Sequence, residues 1–113
     1  MNKLFLIFFI LCSFLYSNNS SIEVGKGIFK SKGCSMCHKR DKKGVGPSLS
    51  IIYKRYSGKE TLLVDFLKGK SKAIIYPGRA PIMQAQLTKL KGLSTQNTRY
   101  LARYLITIDD REF

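Results

Sequence analysis

The sequence predicts a small all-α domain of about four helices. Three observations predict it. Apolar residues recur at three- and four-residue spacing in four separate stretches, and none alternates with the two-residue period of a strand. No internal repeat, low-complexity tract or βαβ pattern interrupts them. The chain is also short, at 113 residues, and a domain of that size buries too little apolar surface to be robust alone. Something has to complete the core.

The stretch Gly33-Cys34-Ser35-Met36-Cys37-His38 supplies it. Its C-x-x-C-H pattern is the signature of covalent c-type haem attachment. Two thiols add across the haem vinyl groups as thioethers, and the histidine presents an imidazole nitrogen to one face of the iron. A zinc site would need four donors, and no second cluster is present to complete one. A thioredoxin-like pair would open a helix after a strand, which is also absent. One covalent haem c with its iron is therefore expected, its apolar faces forming the centre of the core.

The N-terminus sets the compartment. Met1-Asn2-Lys3, an apolar run from Leu4 to Leu15 and then Asn18-Asn19-Ser20-Ser21 have the order of a secretory signal peptide. Cleavage is expected after Ser17, which divides the chain into a signal at 1–17 and one domain at 18–113, exported to the periplasm. The apolar run is shorter than the roughly 20 residues of a membrane span; an uncleaved anchor is the alternative. Cys12 leaves with the signal, because Leu11 before it does not suit lipoprotein processing. Cys34 and Cys37 are both consumed by thioethers, so no disulfide is expected.

The first helix is expected from Ile22 to Gly33, with Ile22, Gly25, Ile28 and Phe29 on one face and Lys26, Lys30 and Lys32 opposite. Ser20 or Ser21 can cap it, Glu23 suits its first turn and Gly33 stops it. Gly25 and Gly27 each weaken a helix by about 1 kcal/mol relative to Ala, unless a second backbone needs the space. A basic connection follows from His38, ending in the rigid run Val45-Gly46-Pro47-Ser48-Leu49. Leu49, Ile52, Tyr53 and Tyr56 mark a second helix over Ser48–Tyr56, ended by Ser57-Gly58. Leu62, Leu63, Phe66 and Leu67 mark a third over Lys59–Lys68, stopped by Gly69.

From Lys70 to Lys91 no periodicity lasts, and Pro77-Gly78 and Ala80-Pro81 are turn signals. This segment is expected to be an extended loop laid across a face of the cofactor. Ser94 caps a final helix from Thr95 to Ile108, with Tyr100, Leu101, Tyr104, Leu105 and Ile108 buried and Arg99 and Arg103 facing out.

Counting names the second axial ligand. His38 is the one histidine, so two histidines from this chain cannot flank the iron. Met1 leaves with the signal and Met36 is locked between the attached cysteines, which leaves Met83 to reach the opposite face. A flexible core filler is the plainer role for a methionine. A thioether raises the potential, and an iron with both axial positions filled has no vacancy for substrate. Electron transfer suits that arrangement better than catalysis, so no enzyme is expected.

Taken together, these residues resemble the small monohaem class I cytochromes c of bacteria, over about 24–108. Gly25 and Phe29-Lys30-Ser31-Lys32-Gly33-Cys34 resemble the family's N-terminal helix. Gly46-Pro47-Ser48-Leu49 is similar to the loop whose proline carbonyl accepts the proximal histidine's ring N–H, and Pro81-Ile82-Met83 to the loop carrying the distal methionine. Leu101-Ala102-Arg103-Tyr104-Leu105 resembles the C-terminal helix that crosses the first, here at Gly25 and Tyr104. The resemblance implies the small cytochrome c fold, with Cys34, Cys37, His38, Pro47 and Met83 around the cofactor and His38 and Met83 on the metal. Two departures stand out. Gln84-Ala85 follows the methionine where many relatives have proline, and no tryptophan is present to hold a haem propionate. Tyr76, Tyr53 and Arg79 are the candidate substitute donors, a plain packing or surface role being the alternative for each.

The resemblance implies a periplasmic one-electron carrier between a cytochrome bc complex and a terminal oxidase or peroxidase. A haem subunit of a periplasmic enzyme complex, as in sulfur-compound oxidation, is the alternative; a third reading has Met83 leaving the iron to admit peroxide or a small gas. The chain carries 20 Lys+Arg against 7 Asp+Glu, a net charge of +13. Export removes nucleic acid as the partner, which leaves acidic-faced redox proteins approached by electrostatic steering. Lys39, Arg40, Lys42 and Lys43 after the motif, and Lys70, Lys72 and Arg79 near Met83, either form that docking surface or are plain solvated charge. Weak association with anionic lipid is also consistent with the charge. A monomer is expected.

Overall fold

The computed structural model describes residues 20–107, which fold as five helices with no strand among them. The expected signal at 1–17 and Ile108 lie outside the described residues. Helix α1 covers 20–31. It ends where Gly33 turns left-handed, at φ 75°, with its N–H on the Lys30 carbonyl at 3.1 Å. Helix α2, Leu49–Tyr56, starts because the Ser48 hydroxyl accepts the Ile51 N–H at 3.3 Å. Gly58 then breaks the chain with φ 74°. Helix α3, Glu60–Leu67, carries Glu60 in its first turn, where a carboxylate complements the dipole.

The loop expected over Lys70–Lys91 is a correction. Its second half holds helix α4, Ala80–Leu87, entered through a 3-10 turn at Pro77–Arg79 and left through another at Thr88–Leu90. Pro81 does not break α4 because it sits in the first turn, where a missing N–H leaves no bond unmade. No residue of α4 is buried, so no apolar stripe announces it in the sequence. Helix α5, Thr95–Ile106, is capped as expected, the Ser94 hydroxyl accepting the Asn97 N–H at 3.0 Å.

Helix α5 is the spine, packed on α2 and α3. Leu101, Ala102, Tyr104 and Leu105 are buried against Leu49, Ile52, Leu63 and Val64, while Tyr100 is only half-buried. Helix α1 crosses α5 at the expected pair. A Cβ on Gly25 would lie 2.1 Å from the Tyr100 carbonyl oxygen and 2.8 Å from the Tyr104 Cβ, so only glycine allows this approach. The Phe29 and Tyr104 rings meet one turn on, with centroids 5.5 Å apart and planes tilted by 55°. Gly27 faces open space and is simply a weak point. Arg103 is not a plain outward-facing charge: its guanidinium donates to Glu60 at 2.7 Å and ties α5 to α3. Both groups are partly exposed, so the pair is worth at most about 1 kcal/mol.

Candidate haem site

The sequence around the motif folds into a single 3-10 turn, Cys34–Met36, because Gly33 before it supplies the left-handed corner. Both thiols and His38 then line one apolar cleft among α1, α2, α3 and α5. His38 is fixed by one bond: its Nδ1 lies 2.8 Å from the Pro47 carbonyl oxygen. A carbonyl can only accept, so Nδ1 carries the proton and Nε2 keeps the lone pair. Burial pushes the imidazole below its ordinary range, and the Pro47 carbonyl acts in the opposite direction. A neutral ring is the form that binds iron.

The chain behind the ring is bonded to the motif and to the two residues after it. Gly46 N–H donates to the Cys37 carbonyl at 2.9 Å, Leu49 N–H to Lys39 at 2.7 Å and Ser50 N–H to Arg40 at 3.0 Å. A Cβ on Gly46 would stand 2.6 Å from the His38 Cε1 and 2.9 Å from Nδ1. The absence of that side chain is what lets the Pro47 carbonyl reach the ring. Burial raises the Cys34 thiol, while the backbone at Cys34 and the ammonium of Lys89 act against that rise.

Met83 lines the same cleft, in the first turn of α4, half-buried against the core. Of the substitute polar donors, Tyr76 and Arg79 line the cleft, while Tyr53 is not among its lining residues. Lys32, Gln86 and Lys89 also line the cleft, as does Tyr56 at 3 % exposure, and none is marked as a site residue by the sequence. Tyr56 was legible only as one more member of the α2 stripe. The three polar residues carry no signal until the fold brings them to one place. Among the described residues no three His, Cys, Asp or Glu side chains group to hold a metal ion by themselves.

The cytochrome c family model matches residues 22–109. The chain belongs to that family. Among curated proteins it is similar to cytochrome c-551 of Azotobacter vinelandii, at 41 % identity over 51 residues. That match covers 45 % of this chain and 61 % of the relative, so the chain spans less than two thirds of the protein it matches. A cytochrome c holds covalently bound haem c with its iron, and the residues here fit that group. Two reduced thiols stand at the wall, a neutral imidazole has one nitrogen committed and one available, and the lining between them is apolar.

Proposed function

We propose that this cytochrome c is a one-electron carrier whose iron is bound by His38 and Met83. The observation that supports it is the single cleft lined by both side chains, with the Nδ1 of His38 already committed to Pro47. When bound, the haem supplies the redox change. The protein's residues do the rest: Cys34 and Cys37 retain it, Pro47 orients the imidazole, and the apolar walls exclude water and favour the less charged, reduced state. If His38 and Met83 both hold the iron, no coordination position would remain for a substrate.

The proposed place of work is the periplasm, reached through the signal at 1–17. The proposed donor is a quinol-oxidising cytochrome bc complex and the acceptor a terminal oxidase or peroxidase. Met36, Val45 and Ile82, exposed by 76, 61 and 55 %, give the cleft region an apolar surface, and Lys39, Arg40, Lys42 and Lys43 are exposed in the segment between Met36 and Val45. That mixture suits brief docking to an acidic-faced partner, with rates that fall as salt rises.

The test is an absorption spectrum of the purified oxidised protein. A weak charge-transfer band at the red end of the visible range reports sulfur on ferric iron. It is expected in the wild type and lost in Met83→Ala. High-spin iron in the wild type at neutral pH overturns the reading.

A further inference from the structure

Tyr76 is the one non-glycine residue with positive φ among the described residues, at φ 45° and ψ 62°. That conformation is unfavourable for any bulky L side chain, and the following Pro77 further pushes the residue before it toward extended backbone. Such strain persists only where the surroundings over-determine it. Two local contacts do so in part: Arg79 N–H donates to the Tyr76 carbonyl at 2.8 Å, and the Arg79 guanidinium sits 5.8 Å from the ring centroid. Tyr76 is one of the residues that line the haem cleft, although 48 % of it is still open.

Directly after this corner the chain makes the Pro77–Arg79 turn and enters α4, in which no residue is fully buried and Met83 and Leu87 are half-buried against the core. The position of α4 is therefore set largely by its ends, the Tyr76 corner at its entrance and buried Leu90 just past its exit. We infer that Tyr76 is a positioning residue: its ring, wedged against the bound cofactor, holds the left-handed corner that directs α4 and fixes where Met83 stands. This rests on the reading of Met83 as the distal ligand. It also couples loading to order, because the contact that holds the strain is complete only when the cleft is filled.

Glycine at this position separates the ring from the backbone. Tyr76→Gly relieves the strain and removes the wedge together, whereas Tyr76→Phe keeps the wedge. In the loaded protein, Tyr76→Gly is expected to lose the sulfur band on heating well before the helical circular dichroism melts. Amide exchange at 84–87 is expected to rise several-fold. Tyr76→Phe should restore both readings to wild type. If Tyr76→Gly fails to load haem, Tyr76→Asn, which tolerates the corner but lacks the ring, takes its place with the same expectation. Unchanged or slower exchange at 84–87 in the ring-less variants, with the band as heat-stable as in wild type, overturns the inference. A wild type without the sulfur band defeats the Met83 reading instead, and the exchange measurement still decides the role of Tyr76.

Discussion

The two sides of the cleft are built by different means. Behind His38, backbone bonds from Gly46, Leu49 and Ser50 lock the motif to the following loop, and a glycine makes room for the one carbonyl that orients the ring. Around Met83 the chain relies on a strained corner and a helix with no buried residue, and Leu90 is the first buried residue after it. The difference matches what the two proposed ligands would need. An imidazole must present one nitrogen in one orientation, so its ring has to be held. A thioether on three rotatable bonds needs only to be delivered near its target. Rigidity is concentrated on the side where direction matters.

Removing the proposed ligands should expose that contrast most strongly. His38→Ala is expected to prevent stable loaded protein from accumulating, while Met83→Ala keeps haem covalently attached and opens the iron to exogenous ligands such as imidazole. Pyridine haemochrome assay and ligand titration distinguish the two, and equal loss of haem from both variants would erase the contrast. Next come the glycines. Gly46→Ala drives a methyl into the His38 ring and is expected to destabilise by about 1–3 kcal/mol, a fall in melting temperature of about 4–8 °C per kcal/mol. Its counterpart beside α4, Gly78, meets nothing within 4 Å and lacks a positive φ. Gly78→Ala should therefore stabilise by about 0.4–1 kcal/mol through the unfolded chain. Thermal denaturation of the oxidised protein measures both. Smallest of all, Tyr53→Phe should leave the reduction potential and stability unchanged within about 0.5 kcal/mol, since Tyr53 is not among the residues lining the cleft. A shift in potential would restore it as a donor to the cofactor.

What could be read from the sequence tracks how local each signal is. Cys34, Cys37 and His38 declare their chemistry within five residues, and Ser48, Ser94, Gly33, Gly58 and Gly69 declare helix ends through capping and left-handed φ. The roles of Gly25, Pro47 and Tyr104 came through family resemblance, because each depends on a residue from another element. Helix α4 was missed for a physical reason. Hydrophobic periodicity reports burial, and α4 has none to report, while Pro81 reads as a breaker unless its place in the first turn is known. The partner of Arg103 is not legible either, since Glu60 lies 43 residues away along the chain. Lys32 and Lys89 reach the cleft only through the fold.

The close crossing of α1 over α5 has a consequence for the order of assembly. Gly25 and Phe29, just upstream of the attachment cysteines, find their partners Tyr100 and Tyr104 in the last helix of the described chain. Contacts so far apart in sequence form late, because the intervening loop must close first. The cleft wall therefore stays unsealed until α5 has docked. A bulky flat molecule can reach the two sulfurs from the side during that interval, and the docking of the final helix then shuts it in.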